Sequence, residues 1–323
     1  MKNELSIIRK IADGSPHNKN DLLNLIPSES QLLRIIRNIK EMGLSMKEEN
    51  NCYRLDTPLE LLNESIFYSH LKQLNNLKNI EISVDEILES TSDKFNPYDI
   101  DDKSIKVSIA EYQSSGRGRE NRQWFSPFGS GICFSIFQEI PNIKSPIGLS
   151  VFLGVKILGC LEELGLKGIK VKWPNDFYFN NKKLGGLLIE LSQNSADNLV
   201  ATVGLGINYL LPSNLQWDDI LSHSAIDIHS IKGDMAIGRN FLAANLINTM
   251  IKSLDAFNDE SLKDLQLVWG NFDMLIGKQL KIQVGDDIYQ GIDSGIDSLG
   301  QLILDDNGIS KKVISGHILE WNN

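Results

Sequence analysis

The segment from Gly116 to Trp124, which reads G-R-G-R-E-N-R-Q-W, is well suited to binding an anion. Its glycines let backbone N–H groups approach a ligand closely. Its arginines carry planar, permanently charged forks that match phosphate or carboxylate oxygens two at a time. The composition favours neither helix nor strand, so we predict a mobile loop whose arginines lack fixed partners until an anion binds. The alternative is a basic surface loop paired with neighbouring carboxylates.

A second motif, Lys172-Trp-Pro-Asn-Asp176, precedes the run K-L-G-G-L-L-I-E that begins at Lys183. The Pro-Asn-Asp and Asn180-Asn181 sequences are typical of turns. We therefore predict a hairpin that brings a carboxylate and an ammonium to one end of a sheet. Asp176 is suited to bind Mg²⁺ or to orient a lysine; alternatively, it only caps the turn. Lys183 is suited to neutralise a phosphate; alternatively, it is a charge that protects a strand edge.

A third motif, Val203-Gly-Leu-Gly-Ile-Asn208, has only a superficial likeness to a dinucleotide fingerprint. It lacks the third glycine at the required offset and an opening helix, which excludes a Rossmann nucleotide site. We predict instead a glycine-rich strand end that directs Asn208 into a site as a polar side chain.

In this order and at these spacings, the motifs resemble those of the biotin protein ligases, most closely the bacterial type that is also the biotin operon repressor. The family's glycine–arginine pattern corresponds to Gly116–Trp124, its K-W-P-N-D to Lys172–Asp176, its K-x-x-G-[IL]-L-x-E to Lys183–Glu190 and its G-x-G-I-N to Gly204–Asn208. Its serine–threonine pair, expected at the end of a helix, falls on Ser90-Thr91. The resemblance covers nearly the whole chain.

The resemblance implies ligand-binding residues, which stand here as expectations. For biotin they are Ser90, Thr91, Ser92, Gln113, Gly116, Arg117, Gly118, Arg119 and Lys183. For ATP or the adenylate they are Arg119, Arg122, Trp124, Asn175, Lys183, Asn208 and Trp217. The catalytic residues are expected to be Lys183, Arg119, Arg117 and Asp176. Asp176 is also the expected ligand of Mg²⁺.

The implied reaction uses ATP and biotin as substrates and passes biotin to a lysine of the biotin carboxyl carrier protein of acetyl-CoA carboxylase. Biotin's own carboxylate attacks the α-phosphate, so no enzyme nucleophile is needed, and the sequence shows no triad-like arrangement of Ser, Cys or His. Arginine, lysine and Mg²⁺ supply the charge neutralisation. Two alternatives remain at this point: a lipoate–protein ligase, and a transcription regulator whose adenylate site only senses ligand.

Three positions depart from the family pattern. Ser92 stands where asparagine is frequent, and Asn121 stands where glycine is usual between the arginines. Because asparagine tolerates a positive φ better than most residues, we expect the loop to keep its shape. The third departure is the acidic segment from Lys47 to Asn51, where DNA-binding members carry basic and glycine residues. DNA affinity is therefore expected to be lower than in relatives with a basic segment there.

The first sixty residues predict three short helices and a hairpin, the pattern of a winged helix-turn-helix. The predicted helices are Leu5 to Ile11, Asn18 to Leu25, and one that begins at Ser28 with a Ser28–Gln31 capping box and runs to about Met42. The DNA-binding residues are expected to be Ser30, Gln31, Arg34 and Arg37. The alternative is a three-helix packing unit with a solvated basic stripe, which leaves the protein a ligase only.

The rest of the chain predicts an α+β fold. A helix from about Leu59 to Leu77 leads into strands and helices with short turns, typical of a largely antiparallel sheet. The short strands after Gly277 suggest an SH3-like barrel. The predicted domains are a winged helix-turn-helix at 1–62, a ligase domain similar to class II synthetases at 63–272 and the SH3-like domain at 273–323. The family also implies an adenylate-promoted homodimer through a strand edge at Gly185–Ser192.

Composition narrows the function classes further. The net charge is −10, and residues 1–60 carry nine Lys/Arg against nine Asp/Glu, so the deficit lies in the remainder, which a nucleic-acid backbone would repel. The three cysteines form no C-x-x-C pair, and neither a targeting signal nor a membrane-spanning stretch is present. We therefore expect a cytoplasmic protein that does not bind a membrane.

Overall fold

Three helices and a small sheet form the N-terminal segment. The computed structural model describes residues 2–74, 80–102, 104–140, 146–212, 224–233 and 237–322. The N-terminal helices are α1 (Lys2–Ile11), α2 (Lys19–Leu23) and α3 (Glu29–Glu41), and the strands are β1 (His17–Asn18), β2 (Met46–Glu49) and β3 (Cys52–Leu55). The strands pair in the order β1-β3-β2, all antiparallel. Helix α2 is shorter than predicted at both ends, because Asn18 is its N-cap and Asn24 its C-cap.

Helix α3 begins and ends where its sequence signals predict. The hydroxyl of Ser28 accepts a hydrogen bond from the backbone N–H of Gln31 (3.4 Å), as an N-cap does. After the helix, Gly43 adopts a φ of +84°, a conformation that favours glycine. One side of the helix is buried in the N-terminal core, through Leu32, Ile35, Ile36 and Ile39.

A seven-stranded sheet forms the centre of the molecule. Its strands are β4 (Ile80–Leu88), β5 (Ile105–Gln113), β6 (Gly131–Glu139), β7 (Lys170–Lys172), β8 (Asp176–Phe179), β9 (Lys182–Gln193) and β10 (Leu199–Asn208). They lie in the order β4-β5-β6-β10-β9-β8-β7, and among the described residues only β4 and β5 pair in parallel. The predicted α+β fold on a largely antiparallel sheet is confirmed. Strand β4, which the sequence pattern did not indicate, forms one edge.

Helices cover one face of this sheet and leave the other for ligands. The remaining helices are α4 (Glu64–Leu74), α5 (Pro146–Glu163), α6 (Ile228–Lys232), α7 (Arg239–Ala256) and α8 (Asp259–Val268). Along β10, Val203, Leu205 and Ile207 are buried in the core beneath the helices. Since side chains alternate across a sheet, Gly204 and Gly206 lie on the opposite face. No described helix is long and apolar enough to span a membrane.

A linker joins the N-terminal segment to helix α4, which begins only at Glu64. Residues 59–63, predicted to be helical, are not helical, and residues 75–77 of that prediction lie outside the described residues. The side chain of Glu60 instead binds the start of helix α7, where it accepts hydrogen bonds from the backbone N–H groups of Arg239 (2.6 Å) and Asn240 (3.0 Å). A carboxylate is stabilised at this start of α7 by the helix dipole. These long-range contacts override the local helical pattern.

Arg239 fixes the linker to the central sheet. Its guanidinium is fully buried and donates to Glu111 Oε2 (2.5 Å), to the carbonyl of Glu60 (3.1 Å) and to the carbonyl of Gly131 (2.7 and 2.9 Å). The other oxygen of Glu111 accepts from the backbone N–H of Leu62. A buried charge is tolerated when it is paired and hydrogen-bonded in this way.

The C-terminal segment is a second antiparallel sheet of five strands. They are β11 (Gln279–Val284), β12 (Asp287–Ile296), β13 (Leu302–Asp306), β14 (Ile309–Val313) and β15 (His317–Asn322), in the order β14-β13-β12-β11-β15. The predicted Asn307-Gly308 turn joins β13 to β14, with both residues at positive φ. The Nε1–H of Trp173 donates to the carbonyl of Gly300 (3.1 Å), so this sheet contacts the K-W-P-N-D turn.

Two buried carboxyl groups lie at the base of the C-terminal sheet. Asp273 accepts hydrogen bonds from Trp269 Nε1 (2.6 Å) and from the backbone N–H of Leu275 (2.9 Å). Asp293 accepts one from the N–H of Gly295 (2.8 Å), and its Oδ2 has no partner among the described residues. Burial, and then the charge of Asp273, raises the pKa of Asp293 to about 8.

Replacing Asp293 with asparagine is expected to make the protein less sensitive to alkaline pH. Between the ordinary pKa of 3.8 and about 8, the folded carboxyl keeps a proton that the unfolded chain releases. The free energy of unfolding therefore falls as pH rises through this range. An amide stays neutral, so urea midpoints of the variant at pH 5 and pH 8 should differ less than those of the unmodified protein. Asp287→Asn, at an exposed site on the same sheet, is the control; equal pH dependence in all three proteins would contradict the assignment.

Candidate active site

One cavity of about 330 Å³ contains most of the residues that the motifs predicted. It lies on the helix-free face of the central sheet, under the loop Gly116–Trp124. Its lining includes Ser90, Thr91, Ser92, Gln113, Arg117, Gly118, Arg119, Arg122, Trp124, Asn175, Asp176, Lys183 and Asn208. Gly116 lines an adjacent groove instead, and Trp217 lies outside the described residues.

The inner end of the cavity is a buried hydrogen-bonded cluster. The backbone N–H and hydroxyl of Thr91 donate to Gln113 Oε1 (2.8 and 3.1 Å). The Ser135 hydroxyl lies 2.8 Å from that of Thr91 and 3.1 Å from that of Ser92. The Ser90-Thr91 pair follows strand β4 and opens a short 3-10 turn, so the expectation that it ends a helix is wrong. Sequence reasoning also missed Ser135, whose only signal is its position inside an apolar run.

The loop is folded back on itself and closed by a tryptophan. Gly116 O accepts from the backbone N–H of Trp124 (2.8 Å), and the N–H of Gly118 donates to Arg122 O (2.7 Å). The indole of Trp124 lies against Gly206, where an added Cβ would come within 2.5 Å of the ring. The positive φ predicted for Asn121 is instead found at Glu120 (57°). The left-handed turn is therefore made one residue earlier than expected.

The arginines of the loop already have partners, contrary to the expectation that they would lack them. Arg117 pairs with Asp93 (3.0 Å) and Glu190 (2.9 Å), and Arg122 pairs with Glu120 (2.7 Å). These pairs are partly exposed, and such pairs contribute little to stability. An anion can therefore displace the carboxylates at low cost.

The outer end of the cavity is cationic. Lys183 Nζ lies 2.9 Å from Asp176 Oδ1, as the predicted hairpin requires. Arg119 Nη1 donates to Asn175 Oδ1 (3.2 Å), while Asn175 Nδ2 donates to Leu187 O (2.7 Å). Burial lowers the pKa of Arg119 from its ordinary value, because desolvation disfavours the charged form. A bound anion at this end would stabilise the charged form of Arg119 and so raise its pKa again.

Two further polar residues support the outer end. Asn208 is buried and donates to the carbonyls of Lys183 (3.3 Å) and Ile226 (3.1 Å), which fixes the strand that carries Lys183. Lys172, the first residue of K-W-P-N-D, is also buried, although sequence reasoning gave it no role. Burial lowers its pKa to about 8; nearby Lys183 and Arg122 act in the same direction, and Asp176 opposes them.

The end of the loop is anchored in the N-terminal segment. The backbone N–H of Phe128 donates to Met42 O (3.0 Å), and its side chain is buried in the N-terminal core. Pro127 lies so close to Gly43 that an added Cβ would approach it to 2.7 Å. The segment that follows the loop is thus in direct contact with the residues that follow helix α3.

Known proteins resemble the chain in sequence and in fold. The sequence model of the biotin/lipoate A/B protein ligase family matches residues 87–208. Over 321 residues the chain is 31% identical to the bifunctional ligase/repressor BirA of Salmonella typhimurium, covering 97% of this chain and 96% of that protein. The BirA of Escherichia coli matches with the same identity and coverage. A biotin protein ligase from Aquifex aeolicus, solved with biotin and ATP, has a similar fold (TM-score 0.62, 24% identity, 76% of this chain and 99% of that chain).

Proposed function

The chain belongs to the family of bifunctional ligase/repressor proteins that includes BirA, and from this we propose that it is an ATP-dependent biotin–protein ligase. It activates biotin as biotinyl-5'-AMP and transfers biotin to a lysine of an acceptor protein. The observation that carries the proposal is a single cavity with a neutral hydrogen-bonding end and a cationic end. Biotin and ATP together present these two kinds of group.

The inner cluster fits the ureido ring of biotin. Ser90, Thr91, Ser92 and Gln113 supply hydroxyl and amide groups that can donate to or accept from a urea. The loop residues Gly116, Arg117 and Gly118 then cover the ring. The biotin carboxylate extends toward Lys183 and Arg119, whose charges orient it.

The cationic end stabilises the adenylation step. The biotin carboxylate attacks the α-phosphate, the bond to the leaving oxygen breaks and pyrophosphate departs with its electron pair. Lys183 and Arg119 neutralise negative charge that grows on the phosphate oxygens, and Asn175, Arg122 and Trp124 position the nucleotide. The subsequent attack of an acceptor lysine on the carbonyl releases AMP. Because the mixed anhydride hydrolyses in water, the loop also serves to exclude water.

Magnesium fits the site as a companion of the phosphates. No cluster of three or more metal-binding side chains occurs among the described residues, which is unlike an all-protein metal cage. Mg²⁺ bound to a nucleotide needs only one or two carboxylates, since phosphates and waters complete its shell. Asp176 would hold it there, and the ion would supply further charge neutralisation.

The inner cluster distinguishes biotin from lipoate, the other substrate in the family's description. The dithiolane ring of lipoate has no group that could replace the hydrogen bonds of a ureido ring. It would leave the buried hydroxyls of Thr91 and Ser135 facing an apolar ligand, which is costly. The inner cluster therefore favours a biotin–protein ligase over the lipoate–protein ligase that the sequence left as an alternative.

The ligase proposal is tested by pyrophosphate exchange into ATP and by calorimetry. We expect exchange to require biotin and Mg²⁺ and to be unaffected by lipoate at equal concentration. Calorimetry should detect biotin alone and tighter retention in the presence of ATP and Mg²⁺. AMP release on adding the carrier domain of acetyl-CoA carboxylase tests the acceptor and excludes a site that only senses ligand. Exchange that depends on lipoate instead would contradict the proposal.

A repressor role accompanies the ligase in the relatives' printed names, and we propose it here for residues 1–62 as a winged helix-turn-helix. Ser30, Arg34 and Arg37 are exposed along one side of helix α3, with Gln31 partly exposed beside them. The acidic segment from Lys47 to Asn51 comprises most of β2 and the turn into β3, with Asn50 and Asn51 at positive φ. Contact of Phe128 with helix α3 supports dependence of operator binding on the adenylate.

Replacing Arg34 and Arg37 together by alanine is expected to abolish operator binding and to leave ligation intact. Both arginines lie far along the chain from the motif residues and are suited to contact phosphates or base edges. Gel-shift titration against the promoter of the biotin-synthesis genes, with and without adenylate and at two salt concentrations, measures the effect. If the unmodified protein gives no adenylate-dependent shift at low salt, the N-terminal segment is structural and the protein is a ligase only.

The remaining assignments concern architecture and assembly. We propose a ligase domain similar to class II synthetases at 63–272 and an SH3-like domain at 273–323, in agreement with the two separate sheets. Strand β9 pairs with β8 only as far as Gly186, and Leu187 is still hydrogen-bonded to Asn175 on that side, so residues 188–193 pair through the ladder on one side only, with β10. This edge supports an adenylate-promoted homodimer by sheet extension. Free cysteines and the use of ATP support a cytoplasmic location.

A further inference from the structure

Helix α3 carries one apolar side chain on its exposed side. Its other apolar residues are buried in the N-terminal core, whereas 53% of Leu33 is exposed. A single exposed leucine is common on protein surfaces and by itself indicates nothing. Its neighbours on the helix therefore decide whether it has a role.

The neighbours of Leu33 on the helix surface are polar and mostly cationic. At 3.6 residues per turn, Ser30 lies about one turn before it, Arg37 about one turn after it and Lys40 about two turns after it. All three are exposed, and the exposed Arg34 extends the same side of the helix. Leu33 thus lies within the polar side and not at its border with the core.

The acidic residues near this side leave its charge positive. Glu29, one turn before Leu33, is paired with Lys19, and Glu41 is the last residue of the helix. The exposed Glu48 belongs to strand β2, outside the helix. The three cations around Leu33 therefore complement the phosphates that border a groove of DNA.

A second copy of the chain is a poorer partner for this side of the helix. In a two-fold symmetric contact the same surface of both copies meets, so Arg34, Arg37 and Lys40 would face their own equivalents. Like charges placed opposite one another oppose association. Charge thus favours a nucleic-acid groove over a contact between two helices α3.

The major groove of DNA offers an apolar group to a side chain in this position. A recognition helix places residues of its N-terminal part against base edges, and Leu33 is the fifth residue of the thirteen in α3. Thymine presents a methyl group in the groove, whereas the other bases present only hydrogen-bond donors and acceptors. A leucine would leave those polar groups without partners, which is costly. Against a methyl group it buries apolar surface on both sides.

We propose that Leu33 selects a thymine in each half of the operator by contact with the C5 methyl group. The proposal rests on the repressor function proposed above and gives it a base-reading residue that carries no charge. The cations around Leu33 supply affinity that depends on salt. Leu33 supplies discrimination between sequences, because phosphate contacts carry none.

The test removes the methyl group from the DNA. The probe is the shortest duplex from the promoter of the biotin-synthesis genes that gives an adenylate-dependent gel shift, with each thymine in turn replaced by deoxyuridine. At one thymine of each half-site the unmodified protein should lose about fourfold in affinity, the effect of burying one methyl-sized group. Replacing both of these thymines should weaken binding by about sixteenfold, since the two contacts are distant and independent.

Variants of Leu33 show whether this residue reads the methyl group. Leu33→Ala should bind thymine and deoxyuridine duplexes equally, because the shortened side chain no longer reaches the base. Alanine favours helix, so α3 should remain folded. Leu33→Met, which is similar in size, should retain most of the discrimination. The dependence of affinity on salt should be the same in both variants, since no phosphate contact is lost.

The matched control is Leu25→Ala, which shortens an exposed leucine outside helix α3. This variant should keep the full difference between thymine and deoxyuridine. Biotin-dependent pyrophosphate exchange should be normal in all of these variants, because none of the residues lines the candidate active site.

The results separate this inference from the repressor proposal. An adenylate-dependent shift in which no thymine methyl group matters, or in which it matters equally to Leu33→Ala, would overturn the inference and leave the repressor role. A uniform loss of affinity by Leu33→Ala on every duplex would also overturn it and would indicate a contact between proteins. Absence of any adenylate-dependent shift with the unmodified protein would overturn both, while the ligase proposal would stand on its own test.

Discussion

Replacing Lys183 with alanine is expected to slow formation of biotinyl-adenylate by roughly two to three orders of magnitude, as for loss of one preorganised donor to a transition state. The ammonium is mostly buried between strand β9 and Asp176, and it lies 5.9 Å from the ring centre of Trp124. In this position its charge acts where water is excluded, so its effect on charge that develops at the phosphate is large. The affinity for biotin should change by only about threefold, because the ureido ring is held at the other end of the cavity. Biotin-dependent pyrophosphate exchange and calorimetry with biotin measure the two quantities.

Asp176 complicates this variant and also offers its control. Without Lys183 the carboxylate of Asp176 is unpaired and repels the phosphates, so part of the lost rate would come from repulsion. Asp176→Asn removes the repulsion and also the proposed carboxylate ligand of Mg²⁺, so the single variants Lys183→Ala and Asp176→Asn are compared with the double variant. A double variant that is faster than Lys183→Ala would measure the repulsion. Lys182→Ala changes an exposed lysine next to it and should leave the rate unaltered. Near-normal exchange by Lys183→Ala would show that this lysine does not stabilise the adenylation step.

The hairpin around Lys183 was predictable because its signals are local. The Pro-Asn-Asp turn precedes β8, and Asn180 and Asn181, which both have a positive φ, form the turn from β8 to β9. The two strands that this turn joins have regular apolar patterns. The same holds for helix α3, whose cap and terminal glycine lie within its own sequence. Motifs of this kind predict residues at both ends of the cavity.

Other members of the site depend on pairings that no local pattern contains. Ser135 reaches the inner cluster because β6 pairs with β10 and places Ser135 opposite Gly204. Lys172 and Trp321 meet only because a strand of the C-terminal sheet lies beside β7. The carboxylates that pair with Arg117 come from positions 93 and 190, on either side of the loop. Register between distant strands sets all of these contacts, and a single sequence does not state that register.

Trp124 and Gly206 form the contact on which closure of the loop is expected to depend. An alanine Cβ at position 206 would lie 2.5 to 2.8 Å from three atoms of the indole, and a rigid ring cannot relieve such a clash by rotating its end. Overpacking of this size costs about 1–3 kcal/mol, which corresponds to roughly 5- to 150-fold in an equilibrium constant. Gly206→Ala should therefore release biotinyl-adenylate, and lose it to hydrolysis, faster by a factor in this range. Stopped-flow measurement of adenylate release and a hydrolysis time course measure the effect.

A double-mutant cycle decides whether the ring is the cause. If Gly206→Ala acts by expelling the indole, then adding it to Trp124→Ala should cost nothing further, because the small side chain leaves room for the new methyl group. If the two changes add, the methyl group disturbs strand β10 or the ligand directly, and Trp124 is not the element that closes the cavity. Gly159→Ala, in helix α5 with open space around its Cβ, should leave adenylate release unchanged and controls for the substitution itself. Non-additivity between 124 and 206, with release of adenylate faster in each single variant, would identify the tryptophan as the closing residue. That result would also imply an order for the two steps of transfer. If Trp124 closes the cavity after the ligand binds, the contact between Trp124 and Gly206 must open before the acceptor lysine can reach the anhydride.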